Sequence, residues 1–211
     1  LTTARTAEMA KLTENSFRDV NIAFANELSM ICDKLNIDVW ELIKLANRHP
    51  RVNILNPGPG VGGHCIAVDP WFIVSSAPDT AKLIRQAREV NDSKPYYVLN
   101  QILEAVEQFK KPIVACLGIA FKADIDDLRE SPALDITKML AEKNCAKVLV
   151  VEPNITKLPE SLSKLGVELV SLEDALAQSN TLAVLVDHKE FKSIAPEQIA
   201  KKVIVDSRGI F

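Results

Sequence analysis

Beyond Pro112 the chain changes its grammar, and that change limits the possible folds more than any other feature. Five short apolar runs, at 113–117, 147–151, 167–170, 181–186 and 203–205, alternate with amphipathic segments starting at Ser131, near Pro159, at Ser171 and at Pro196. Short apolar runs alternating with helical patterns predict a parallel sheet with covering helices, and Ser131-Pro132 is a good cap and first-turn pair. The preceding part reads as helical, apart from one long loop. One amphipathic pattern runs from 2 to about 35, with Asn36 as its stop. A second helix follows Asp38, which has capping-box spacing to Glu41, and Val39, Leu42, Ile43 and Leu45 form its buried side. Helical pattern resumes from 79 to 110, where Pro95 is expected to open a new helix after Asp92 or Ser93. The expected class is therefore α/β, with an all-helical domain at 1–110 containing one long helix and a parallel-sheet α/β domain at 111–211.

Between the second and third helical patterns the periodicity fails. Residues 48–69 hold Pro50, Pro57 and Pro59 together with four of the seven glycines in the chain, at 58, 60, 62 and 63, which no helix propagates. A loop of this length is functional or disordered. Gly58, Gly60 and Gly63 match the spacing G-x-G-x-x-G, but that fingerprint needs a strand before it and a helix start after it. Here prolines interleave the glycines, and the dinucleotide reading is rejected. What remains is backbone without side chains that can approach a ligand closely and turn N–H groups toward charged oxygens. Cys65 follows directly, accessible to a substrate as a nucleophile, whereas Cys32 on a helix and Cys116 in an apolar strand read as small core residues. Asp69, four residues on, could accept a proton or orient a water; from spacing alone it could equally cap a short helix carrying Trp71 and Phe72.

Charge and composition narrow the partners. With 25 basic and 28 acidic residues and a net charge of −3, nothing suggests nucleic acid or an anionic membrane. No apolar run approaches the ~20 residues of a bilayer span, and no secretory signal is visible, so the cytoplasm is the expected compartment. The four cysteines form no C-x-x-C pair, and no metal site is expected. The sequence opens without Met inside a helical pattern and is expected to be part of a longer protein.

On the first helix Lys11, Asn15 and Arg18 fall within an arc of roughly 60°. Met9, Leu12, Phe17, Val20, Phe24, Leu28 and Ile31 lie opposite and are expected to face the core. A solvated surface explains the polar stripe as well as a binding face does, and His49 and Arg51 are either loop surface or anion ligands beside the glycines.

Several separated motifs together resemble the UDP-glucose/GDP-mannose dehydrogenase family. They are Ala7-Glu8-Met9-Ala10-Lys11 with Asn15, Asn26-Glu27, the run from Gly60 to Pro70 containing Gly62-Gly63-His64-Cys65, Gly118-Ile119-Ala120-Phe121-Lys122, and Asp127-Leu128-Arg129-Glu130-Ser131-Pro132. The resemblance implies a Rossmann-like second domain and NAD-dependent oxidation of a sugar's terminal hydroxymethyl group to a carboxylate. It makes Cys65 the nucleophile, Lys11 and Asn15 the stabilisers of negative charge, and Asp69 the group that handles water. It further implies that Arg18, His49, Arg51, Gly62, Phe121, Lys122 and Arg208 hold a UDP-sugar, that Arg51 reaches across a homodimer formed through the first helix, and that Arg129 approaches the NAD phosphates. The segments 62–72 and 47–52 are most like members acting on UDP-N-acetyl-D-mannosamine; UDP-N-acetylglucosamine and UDP-glucose are the alternatives, the latter disfavoured because Val68 stands where many UDP-glucose enzymes have Lys. The family's amino-terminal NAD domain is missing, and the residues present are expected not to turn over alone, so a non-catalytic UDP-sugar-binding module is the competing class.

Overall fold

The computed structural model describes residues 2–211. The chain divides into two compact units, 1–94 and 95–211. In the first, α1 (Ala4–Leu35) starts at Thr3, whose hydroxyl accepts from the Thr6 N–H, and stops at Asn36 in the left-handed conformation. Then α2 (Val39–Ala46) begins on Asp38, whose carboxylate accepts the N–H groups of Trp40 and Glu41, so the stop expected at Asn36 and the start expected at Asp38 are both found. Only Ile43 of α2 is fully buried, and Leu45, expected on the buried side, is exposed. A long stretch without regular structure leads to α3 (Asp69–Ser76).

The next helix, α4 (Lys82–Val106), runs unbroken through Pro95, against the expectation that this proline would start a new helix. An interior proline costs about 3 kcal/mol, and packing on both sides outweighs it. Arg88, Asn91 and Lys94 bond to side chains of α1, while Val98, Leu99 and Ile102 enter the core of the sheet unit. That packing is why the compact units divide inside α4, whereas the change of sequence grammar placed the boundary at 110–112.

The long helix carries the second difference. Its buried residues are Asn15, Ser16, Asp19, Ala23, Ala25, Asn26 and Cys32. Of the residues expected to face the core, Met9, Phe17, Phe24 and Ile31 are 44–69% exposed. Leu12, Val20 and Leu28 are partly buried, so the inward face mixes small and polar residues with part of the apolar set. Periodicity locates two faces and cannot say which is buried when partners are available to satisfy the polar side.

Residues 95–211 form a five-stranded parallel sheet in the order β3-β2-β1-β4-β5, with β1 (Ile113–Leu117), β2 (Lys147–Val151), β3 (Glu168–Leu169), β4 (Thr181–Val184) and β5 (Val203–Asp206). The crossovers carry α5 (Pro132–Glu142), α6 (Glu160–Ser163), α7 (Leu172–Gln178) and α8 (Pro196–Ile199). Alternate strand residues feed two cores. Val114, Cys116, Val148 and Val150 pack with Ile136 and Leu140 of α5, and Ala115, Leu117, Leu149 and Leu182 pack with Ala175 and Phe191. Coverage on both faces explains why the runs are continuously apolar rather than alternating. No helix among the described residues is long and apolar enough to cross a membrane.

Candidate functional site

In the first unit the glycine loop is tied to α1 from within. Pro57, Gly58, Pro59 and Gly63 are buried. The Gly58 N–H donates to Asn26 Oδ1 at 2.9 Å, and Asn26 Nδ2 donates to Asn91 Oδ1 at 2.9 Å. Asn91 Nδ2 donates in turn to Asp19 Oδ1 at 2.8 Å, and Arg88 Nη1 reaches the same oxygen at 2.5 Å. Arg88 also pairs with Asp92. Burial pushes the Asp19 carboxyl above its ordinary value, against the pull of Arg88 and Asn91. Upstream, Asn47 accepts from the Ile54 N–H and donates to its carbonyl, closing residues 48–53 into a compact turn. Gly63, at φ +81°, occupies the left-handed region that favours glycine.

A turn then carries the chain from His64 into α3. The Cys65 carbonyl accepts the N–H groups of Val68 and Asp69 at 3.1 and 2.8 Å, so Cys65 and Asp69 stand one turn apart. The Cys65 side of that turn is exposed, and Cys65 is a free thiol. Asp69 does not cap α3, which has no side-chain cap. Instead its Oδ2 accepts Asn15 Nδ2 at 2.5 Å, with Asn15 itself 3% exposed. Lys11, one turn before Asn15, is exposed and paired with Glu14 at 3.1 Å. Arg18 is exposed on the same helix, His49 and Arg51 are exposed, and His49 Nδ1 accepts the Arg51 N–H at 3.3 Å. Gly62 is partly buried. The fold thus joins the Asn15 amide to the Asp69 carboxylate and sets Asp69 one turn after the exposed Cys65.

In the second unit β1 is followed by Gly118, where φ is +86° and an added Cβ would lie 2.4 Å from Val186 Cβ. The following turn is held by a carboxylate. Glu152, at the end of β2, accepts from the N–H groups of Ile119 and Ala120 at 2.8 and 3.0 Å and bonds His188 Nε2 at 3.0 Å. Burial pushes Glu152 up, but these donors together hold it below its ordinary value. His188, fully buried, accepts the Asp124 N–H on Nδ1 at 2.9 Å, so its Nε2 carries the proton donated to Glu152. Residues 118–130 carry partly buried Phe121, exposed Lys122 and exposed Arg129, the last doubly bonded to Asp127. Arg208, after β5, pairs with Asp187 at 2.6 Å; burial raises the Asp187 carboxyl, and Arg208 brings it below its ordinary value.

Reading the sequence residue by residue missed the supports of both loops. Asp19, Arg88, Asn91, Glu152 and His188 drew no attention, and Asn26 appeared only as part of a motif. One signal was available: Asn15, Asp19 and Asn26 fall within about 40° on one helix face.

Both units match domains of one protein family. Residues 5–93 match the central domain, and residues 115–211 the UDP binding domain, of the UDP-glucose/GDP-mannose dehydrogenase family; the chain belongs to that family. Among its relatives, a UDP-N-acetyl-D-mannosamine dehydrogenase of Campylobacter jejuni is 63% identical over 94% of this chain and 49% of its own length. An NDP-N-acetyl-D-galactosaminuronic acid dehydrogenase of Ralstonia solanacearum is 60% identical over all of this chain and 49% of its own. The solved structure of a UDP-D-ManNAc dehydrogenase from Pyrococcus horikoshii superposes with a TM-score of 0.87 at 39% identity, over 100% of this chain and 50% of that one. The chain spans about half the length of the relatives it matches.

Proposed function

We propose that these residues are the central and nucleotide-sugar-binding part of an NAD-dependent dehydrogenase that oxidises the terminal hydroxymethyl group of UDP-N-acetyl-D-mannosamine to a carboxylate. The observation that carries this reading is the exposed Cys65 thiol one turn from Asp69, whose carboxylate is fixed by buried Asn15. The Cys65 thiolate adds to the aldehyde carbon of the half-oxidised sugar; a C–S bond forms, and the carbonyl electron pair moves onto oxygen. Lys11 and Asn15 are the proposed stabilisers of that oxygen, a positive charge and an amide donor offered to the developing negative charge. Once the adduct is a thioester, water attacks its carbon, Asp69 takes the proton, and the C–S bond breaks to return the thiolate. Arg18, His49, Arg51 and Gly62 are the proposed sugar-nucleotide contacts of the first unit, and Phe121, Lys122 and Arg208 those of the second.

NAD supplies the hydride acceptor in such an enzyme, and the turn after β1 does not offer it free backbone donors at Ile119 and Ala120. The N–H groups of Ile119 and Ala120, which would face a pyrophosphate after β1, already hold the Glu152 carboxylate. Arg129 is the residue of this chain proposed to reach the cofactor phosphates, and the residues in hand are expected to be inactive alone. A homodimer through α1 is proposed from its outward stripe: Met9, Phe17, Phe24 and Ile31 lie within an arc of about 80° and are all exposed.

The test is to join the chain to an NAD-binding domain and to measure NADH per sugar. UDP-N-acetylmannosamine should yield two NADH, and Cys65→Ala should abolish the acid; acid formed at the normal rate by the alanine variant would refute the assignment. A second reading, oxidation of an N-acetylgalactosamine nucleotide, is favoured by the 60% identity to the Ralstonia enzyme, and the same assay separates the two.

A further inference from the structure

The buried polar stripe of α1 touches the loop segment at two points. Asn26 holds the Gly58 N–H, and Asn15 holds the Asp69 carboxylate. Asn15 and Asn26 are eleven positions apart, and so are Gly58 and Asp69, with the segment running antiparallel to the helix. Along α1, eleven residues rise about 16 Å. Along an extended chain, eleven residues would reach roughly 36–40 Å. The segment is therefore pinned over less than half its reach, and the slack has to be gathered between the pins, where Gly60, Gly62, Gly63 and Cys65 lie.

The far pin is built differently from the near one. Asn15 meets an acidic residue that the proposed chemistry uses. Asn26 meets only backbone, and its amide is held on the other side by Asn91, itself fixed by Asp19 and Arg88. All five groups of this chain, from the Gly58 backbone through Asn26, Asn91 and Asp19 to Arg88, are buried. An asparagine locked by a buried relay cannot rotate to let the loop slide without leaving several polar groups unpaired.

We propose that Asn26 is a positioning residue that acts as the distal anchor of a two-point clamp, setting the shape of the glycine loop for the UDP end of the nucleotide sugar; this deepens the reading above and rests on it. Asn26 is outside the reacting atoms and acts through Gly58.

The experiment compares wild type with Asn26→Leu and with the milder Asn26→Ser, whose hydroxyl is too short to keep both bonds. Hydrogen exchange by mass spectrometry and the affinity for UDP are measured on the same 211-residue samples. Loss of the anchor should speed exchange in peptides covering 56–64 while leaving those of β1, β2 and β4 unchanged, and should weaken UDP binding at least about fivefold, the value of one hydrogen bond. A purely structural role would instead raise exchange through α1 and α4 together. Wild-type exchange at 56–64 in both variants overturns the clamp, as does a loosened loop that binds UDP with unchanged affinity. If wild type itself binds no UDP, the ligand reading falls, and the clamp's part in binding falls with it.

Discussion

Replacing Arg88 by methionine should cost the first unit about 3–5 kcal/mol, the usual penalty for removing one member of a buried ion pair. The geometry supports the upper part of that range. Arg88 is 1% exposed and Asp19 is fully enclosed, with 2.5 Å between Nη1 and Oδ1. Without the guanidinium, Asp19 keeps only the Asn91 amide as a side-chain donor. Burial already holds this carboxyl above its ordinary value, so removing Arg88 raises it further. A raised carboxyl contributes stability that is fully present below the unfolded pKa of 3.8 and is lost as pH rises through the folded one. The cost of Arg88→Met should accordingly be greatest at neutral pH and shrink toward pH 4. Both tryptophans, Trp40 and Trp71, lie in the first unit, so urea unfolding followed by tryptophan fluorescence reports this region. The double variant Arg88→Met/Asp19→Asn should recover half or more of the loss, because it removes the buried charge along with its partner. A cost below about 1 kcal/mol at pH 7, or one that does not diminish with acid, would refute the account of the relay as an ion pair in a water-poor interior.

Other measurements bear on other parts of the molecule. In the native protein a thiol reagent should modify Cys65 and Cys145, which are exposed, and spare Cys32 and Cys116, which react only on unfolding; burial pushes the Cys116 thiol up to about 12. Gly118→Ala should prevent stable folding of the sheet unit, since its Cβ meets Val186 at 2.4 Å and φ is +86°; circular dichroism and proteolysis check this. Glu152 is held below its ordinary 4.5, so it contributes stability above that pH and loses it as pH falls through the folded value. Glu152→Gln should lower stability at pH 7 and flatten the acid limb of the unfolding curve. If α1 pairs with a second copy, Phe17→Glu/Phe24→Glu should shift the mass measured by light scattering to that of a monomer, with helix content preserved.

The sites of local chemistry were the legible ones. Asn36 ends α1, Asp38 starts α2 and Ser131 starts α5, because helix ends are set by bonds between near neighbours. The strands at 113–117 and 147–151 agree residue for residue with the runs read from composition. Cys65 and Asp69 stand out from their place beside the glycines, and their one-turn spacing is local too. Asn26 and Glu152 were not legible in the same way. Each is an ordinary polar residue until a backbone N–H thirty-two or thirty-three positions away is brought to it.

Asn36, Asp38 and Ser131 as helix ends, two strands, a parallel sheet with covering helices and a glycine loop leading to a cysteine were all readable from local pattern. Tertiary structure alone decided which face of α1 is inward, whether Pro95 breaks a helix, and what the Asp69 carboxylate bonds. The reason is physical. Caps, turns and apolar periodicity depend on atoms within a few residues, whereas the burial of a polar stripe or the tolerance of an interior proline depends on partners supplied from remote chain, whose hydrogen bonds and packing must outweigh the desolvation of polar groups and the lost backbone bond.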